Sequence, residues 1–254
     1  MEQRWPTRLW IVRHGQSAGN VARDAADAAG LPRIDIADRD MDVPLSDLGY
    51  EQAHALGRWF ARLPADERPR TVMSSPYLRA VQTSQAVREV GGLIEPDRKF
   101  CADERLREKE FGILDRLTRH GIETQFPEQA EFRRLLGKFY HRPPGGESWC
   151  DVVLRLRSLL DTLSLHHGGD RVLIIAHQVV VLCMRYLLEG LSEEQILAID
   201  READIANCGV TEYRFDPASG PHGELVLHRY NFTAPLEDEA APVTAAPDAN
   251  VAAR

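Results

Sequence analysis

Four short polar clusters hold residue types that together can do phosphate chemistry: Arg13-His14-Gly15, Ser74-Ser75-Pro76 with Arg79, Glu108, and His177-Gln178. Each follows a run of apolar or β-branched residues and is expected at the carboxyl end of a strand, where open α/β sheets collect their ligands. Two guanidiniums, two imidazoles and the helix start after His177 would attract a compact anion with several oxygens, and phosphate fits that demand. His14 can attack phosphorus, because a neutral imidazole (unperturbed pKa near ~6.5) keeps a nitrogen lone pair around neutrality. Gly15 removes bulk beside it, and a backbone carbonyl accepting from the other ring nitrogen would fix the tautomer. Arg13, Arg79 and a cationic His177 would hold the transferring oxygens and spread their charge. Glu108 would give a proton to the leaving alkoxide and then take one from the attacking water. Singly, each residue has a plainer reading. A histidine at a strand end is usually a satisfied structural residue, and Glu108, among Arg105, Arg107, Lys109 and Glu110, could be a surface ion-pair partner. Convergence on one crevice is what would make them a site.

The elements that must position these residues alternate between strand and helix patterns, the signature of an α/β domain on a mainly parallel sheet. Arg8 to Val12, Thr71 to Met73, about Phe100 to Leu106, and Arg171 to Ala176 read as strands. Leu45, Leu48, Ala53, Leu56, Phe60 and Leu63 recur at helical spacing behind a Ser46 N-cap and stop at Pro64. Further helices are expected from Tyr77 to Val90, along the Val152–Leu163 stripe, from Val179 to Leu188, and behind the Ser192/Gln195 capping box. Val210 to Phe215 and Leu225 to His228 look like a hairpin. Two stretches break the alternation, residues 21–44 and 111–144, and are expected as helical or loop insertions forming a lid over one end of the sheet. The second carries Arg116, Arg119, Arg133, Arg134, Lys138 and Arg142, either as a solvated face or as a substrate-reading surface. A single domain over residues 1–232 is expected, with an unstructured Ala/Pro/acidic tail over 233–254.

Composition limits the partners. Among 254 residues, 31 Lys+Arg against 39 Asp+Glu give a net charge of −8, so no protein-wide field draws nucleic acid or anionic lipid, and an anion site must be local. No apolar run approaches the ~20 residues of a membrane span, and Met1 to Arg8 lacks a signal-peptide stretch, so a cytoplasmic protein is expected. Cys101, Cys150, Cys183 and Cys208 have neither CxxC spacing nor scaffold density and are expected as reduced, mostly buried thiols. Asp35, Asp38, Asp40 and Asp42 could hold a cation, but with Arg33 and Arg39 interleaved they read as a solvated acidic loop. No metal or cofactor is expected.

Arg13-His14-Gly15-Gln16-Ser17 with Asn20 resembles the signature of the histidine phosphatase superfamily, the phosphoglycerate mutase-like family. The resemblance continues in order through Leu45-Ser46 with Gly49 and Gln52, then Ser74-Ser75-Pro76 to Arg79 and Gln82-Thr83. It runs on through Leu106, Glu108 and Phe111-Gly112, then Gly145-Gly146-Glu147-Ser148 with Asp151-Val152, and finally His177. It implies a three-layer α/β/α sandwich, a phosphohistidine on His14, Glu108 as acid and base, Arg13, Arg79 and His177 as phosphate ligands, and no metal. It adds Asn20, Ser17 and the Gln178 amide as phosphate contacts, and gives Glu147 an organising or a purely structural role. Arg116 and Arg119 fall where substrate selection is expected. Gln178 after the second histidine resembles the fructose-2,6-bisphosphatase branch, while Phe111 and the Arg116–Arg119 run depart from the mutase pattern. The expected function is hydrolysis of a small phosphorylated metabolite. A 2,3-bisphosphoglycerate-primed mutase and a non-catalytic phospholigand-binding protein are the alternatives, and a homodimer is compatible with any of them.

Overall fold

The computed structural model describes residues 3–94 and 97–245. A six-stranded sheet runs in the order β3-β2-β4-β1-β5-β6, with β1 at Arg8–Arg13, β2 at Thr71–Ser74, β3 at Lys99–Ala102, β4 at Arg171–Ala176, β5 at Val210–Asp216 and β6 at Glu224–Phe232. β1 to β4 are parallel to one another, and the β5/β6 hairpin adds an antiparallel edge beside β1. Because β1 and β4 are covered on both faces, their sequences are apolar at successive positions rather than alternating. Leu9, Ile11, Val172 and Ile174 pack with α6 (Trp149–His166) and α7 (Gln178–Leu188). Trp10, Val12, Leu173 and Ile175 pack on the other face with α2 (Asp47–Arg62) and α3 (Leu78–Val90). The result is the expected α/β/α sandwich on a mainly parallel sheet.

The helix starts are set by short polar side chains. The Ser46, Ser148 and Ser192 hydroxyls accept from the Gly49, Asp151 and Gln195 N–H groups, the last beginning α8 at Glu193–Glu202. The two insertions form one cap. α1 (Ala18–Ala28) opens the first, while α4 (Arg119–Gln125) and α5 (Pro127–Tyr140) fill the second. They are stitched by the Ile34 N–H to the Arg116 carbonyl (2.9 Å) and the Thr118 N–H to the Pro32 carbonyl (3.1 Å). Leu114, Leu117 and Ile122 give this cap a small core of its own.

Three expectations need correction. The third strand ends at Ala102, and Leu106 lies in a tight 3₁₀ turn at Glu104–Leu106, because the Asp103 side chain accepts from the Arg105 N–H (2.9 Å) and turns the chain. The thiols are less buried than expected: Cys183 and Cys208 are enclosed, Cys150 is half-buried and Cys101 is exposed on the edge strand. The tail is wrong for residues 233–245; residues 246–254 lie outside the described part. α9 (Ala234–Glu237) buries Leu236 completely against the α2/α3 side of the core, and Glu239 pairs with Arg58 and Arg62 of α2. A lone leucine among Ala, Pro and acidic residues carries no periodic signal, so composition hides this docking. Leu236→Ala should therefore lower the unfolding free energy by about 2–5 kcal/mol in urea denaturation. A change within about 0.5 kcal/mol, the size of an ordinary surface substitution, would restore the tail.

Candidate active site

The site begins where β1 ends. The His14 imidazole is fully buried, and its Nδ1 lies 2.6 Å from the Gly15 carbonyl. A carbonyl can only accept, so Nδ1 carries the proton and the lone pair of the neutral ring is at Nε2. Arg79 of α3 donates its Nε–H to that nitrogen at 3.2 Å. The backbone around the ring is held from all sides. The His14 N–H reaches the Ala176 carbonyl of β4 (2.9 Å), the Gly15 N–H the Thr83 hydroxyl (3.0 Å), and the Gln16 N–H the Gln52 side chain (2.8 Å). The loop can lie this close to α2 because both contacting residues lack a Cβ: one built on Gly49 would sit 2.0 Å from the Gln16 carbonyl oxygen, and one on Gly15 2.5 Å from the Gly49 carbonyl oxygen.

The other polar clusters converge on the same end of the sheet. His177, fully buried, caps α7, with its ring 5.1 Å from that of His14 and its Nε2 2.8 Å from the Ser75 hydroxyl after β2. Arg13 is fully buried and donates to the Ile205 carbonyl (2.5 Å). Glu108, also fully buried, accepts the Lys109 N–H at Oε1 (2.7 Å). Its segment is braced by Glu147, which takes Arg107 (2.7 Å) and Arg155 (3.0 Å) on its carboxylate while its N–H reaches the Glu110 carbonyl (2.9 Å). Glu147 thus ties the irregular segment that carries Glu108 to α6 through Arg155. Beside Arg79 a cleft opens, lined among others by Ser17, Asn20, Arg23, Asp40, Asp115 and Arg116. At this end of the sheet the buried His14 and His177 rings and the Arg79 guanidinium lie together, a set that suits transfer of a small anionic group.

The family model for the histidine phosphatase superfamily (branch 1) matches residues 9–228. The chain belongs to this superfamily. A probable fructose-2,6-bisphosphatase of Schizosaccharomyces pombe is 30% identical over 188 residues, which is 74% of this chain and 40% of that protein, so the chain spans about two fifths of that relative's length. A probable phosphoglycerate mutase of Yersinia enterocolitica is 27% identical over 91% of this chain and 95% of its own. Among solved structures, the native mycobacterial glucosyl-3-phosphoglycerate phosphatase is similar at TM-score 0.66 and 25% identity, over 89% of this chain and 99% of that one.

Within this member of the superfamily, the structure separates the substrate-side residues expected from sequence. Ser17 and Asn20 do reach the cleft, but also form the capping box of α1, with Asn20 Oδ1 accepting from the Ser17 N–H (2.9 Å) and hydroxyl (3.0 Å). The Gln178 side chain turns to Asp204 (2.8 Å), which leaves the start of α7 as its part of the site. Arg116 faces the cleft, donating to the Ile36 carbonyl (3.1 Å) and paired with Asp115 (3.5 Å). Arg119 is a correction: it lies on the outer face of α4, 55% exposed, donating to Glu123 one turn on (2.8 Å), and lines a different depression with Arg133 and Lys138. Helical i,i+4 pairing, not the crevice, holds it.

Asp40 and Arg23 were not singled out as site residues. Asp40 takes Arg79 Nη1 on its carbonyl (2.5 Å) and carboxylate (3.0 Å), so one residue of the acidic loop is the counter-ion of a buried arginine. Arg23 is buried on α1 and lines the cleft. A tertiary partner of this kind has no local sequence signal. Burial and the charge of nearby Asp40 raise the Asp115 carboxyl, while Arg116 draws it down. On the far side of Phe111, burial and then the charge of Arg133 push Lys109 down to about 8, and Lys138 is answered by Asp200.

Gly49→Ala should cost about 1–3 kcal/mol on unfolding and displace the His14 loop, because neither contacting group is a flexible side chain end. Unchanged stability would remove the close approach from the account. His141, buried at the end of α5, is held neutral with its pKa pushed down to about 4 by burial and by Arg133 and Lys109. The unfolded chain protonates it near ~6.5, so its stabilisation is full above that pH and is lost as pH falls toward 4. In urea titrations between pH 7 and 4, His141→Gln should flatten the loss of stability. An identical slope in both proteins would contradict the shift.

Proposed function

We propose that this chain is a metal-independent phosphatase that hydrolyses a small phosphate monoester through a phosphohistidine on His14. The tautomer carries the reading: Nδ1–H is committed to the Gly15 carbonyl, so Nε2 is the attacking nitrogen. A phosphoryl group arriving there meets Arg79, whose Nε–H already points at the same lone pair, with Arg13, His177 and the amide end of α7 to hold its oxygens. The Nε2–P bond forms as the P–O bond to the leaving group breaks, and Glu108 supplies the proton to that oxygen. Glu108 then takes a proton from water, whose oxygen attacks phosphorus, breaks the N–P bond and returns His14 neutral. Cationic side chains meet the oxygen charge, which is the work a metal would otherwise do. A cytoplasmic location accords with four free thiols, and no helix of the described residues is long and apolar enough to cross a membrane.

Hydrolysis is favoured over mutase chemistry by the charge balance of the cleft. A mutase must hold a bisphosphorylated intermediate, which needs surplus cations beyond the transferred phosphate. Here Arg79 is answered by Asp40 and Arg116 by Asp115. The names of the Yersinia relatives keep isomerisation as the competing outcome.

Phosphate release from p-nitrophenyl phosphate should persist in EDTA and fall about 10³-fold or more in His14→Ala. Glu108→Gln should lower kcat by about 10²–10⁴-fold, most for esters with poor leaving groups that need the proton. Retained turnover in His14→Ala would end the proposal, and isomerisation of 3-phosphoglycerate faster than hydrolysis of any ester would decide for the mutase.

A further inference from the structure

Two fully buried amide side chains hold the His14 loop from behind, and Thr244 holds both. Gln52 of α2 accepts the Gln16 N–H at Oε1 (2.8 Å) and donates from Nε2 to the Thr244 hydroxyl (2.9 Å) and the Pro242 carbonyl (2.8 Å). Asn207 donates from Nδ2 to the His14 carbonyl (3.0 Å) and accepts the Thr244 hydroxyl at Oδ1 (2.9 Å). The Asn207 N–H closes the connection on the Thr244 carbonyl (2.8 Å).

A hydroxyl has one proton, so it can donate to one amide while accepting from the other. Donating to Asn207 Oδ1, it turns the Asn207 NH₂ toward the His14 carbonyl. Accepting from Gln52 Nε2, it turns the Gln52 carbonyl toward the Gln16 N–H. A flip of Asn207 would face two carbonyl oxygens at His14, and a flip of Gln52 would face two donors at Gln16. The Thr244 hydroxyl therefore completes both contacts that flank the imidazole, bridging the two amides in the polarity that the His14 carbonyl, the Gln16 N–H and the Pro242 carbonyl require. Hydrogen bonds among buried polar groups are costly to leave unmade, which makes this orientation strict.

We propose that Thr244 is a positioning residue for His14, the end of a strap over residues 242–244 that orients Gln52 and Asn207 and through them the imidazole. This rests on the reading of His14 as the nucleophile. The strap touches no reacting atom; its effect is on the aim of Nε2, and misplacement by an ångström can cost orders of magnitude in rate.

The test uses the full chain with Thr244→Val, which removes the hydroxyl while keeping a branched side chain, and Thr244→Ser, which restores it. On p-nitrophenyl phosphate, well below each variant's melting temperature, the valine variant should lose about tenfold in kcat with KM within about twofold, and serine should recover most of the loss. The hydrogen-bonded Nδ1 proton of His14, followed by NMR, should shift or broaden in the valine variant and return in the serine one. Unchanged kcat in Thr244→Val, a loss that serine does not repair, or a lower melting temperature with kcat intact would overturn the proposal. If the parent shows no His14-dependent turnover, the phosphatase reading fails instead. The ring proton then decides for the strap alone, and an unmoved resonance in Thr244→Val overturns it.

Discussion

One hydrogen bond, 2.6 Å from His14 Nδ1 to the Gly15 carbonyl, determines which nitrogen of the neutral imidazole keeps its lone pair. It works only if the carbonyl that receives it does not move, and the surrounding backbone is tied accordingly. The N–H groups of His14, Gly15, Gln16, Ser17 and Ala18 each have a partner, drawn in turn from β4, α3, α2, α1 and the Pro44 carbonyl. Buried N–H groups left without an acceptor cost several kcal/mol each, so a buried loop outside regular structure has to find acceptors elsewhere. Here four elements and the Pro44 carbonyl supply the acceptors, which ties the strand end down.

The rigidity extends to Glu108, the proton carrier of the proposed reaction. Glu108 sits in an irregular segment, and Glu147 compensates by bonding Arg107 and Arg155 at once while pairing its backbone with Glu110. Buried ion pairs of this kind contribute little net stability, since desolvation offsets most of the attraction. Their value is orientation: Arg155 also donates to the Arg105 carbonyl (2.6 Å) and the Glu108 carbonyl (3.3 Å), so one guanidinium spaces the whole turn.

The strands, the main helices and the convergence of His14, Arg79 and His177 were legible because they rest on local patterns: apolar runs, Ser caps, and polar residues directly after strands. Glu108 does not follow its strand directly: the 3₁₀ turn at Glu104–Leu106 stands between it and Ala102, because the Asp103 side chain turns the chain there. Contacts between distant segments were not legible. Asp40 looked solvated because Arg33 and Arg39 stand near it in sequence, whereas its partner in space is Arg79. Arg119 and Arg116 looked alike, yet helical geometry sends one to Glu123 and the other into the cleft. The segment after Thr233 looked unstructured because its order comes from Leu236, Glu239 and Thr244 meeting α2 and Asn207, single contacts without period.

Arg79 joins these levels. Its Nε–H lies on His14 Nε2, the attacking nitrogen of the proposed reaction, while Nη1 lies on Asp40 of the cap, so imidazole and cap share one guanidinium. Attack through Nε2 requires that lone pair, and the incoming group must therefore take the Arg79 proton donor away from the imidazole. A phosphate dianion does so at once by offering oxygens of higher charge than either neutral imidazole or a carboxylate, and the buried setting amplifies that difference. On the proposed reaction, the exchange that admits the phosphate also frees the His14 nitrogen that attacks it, which would couple binding to activation.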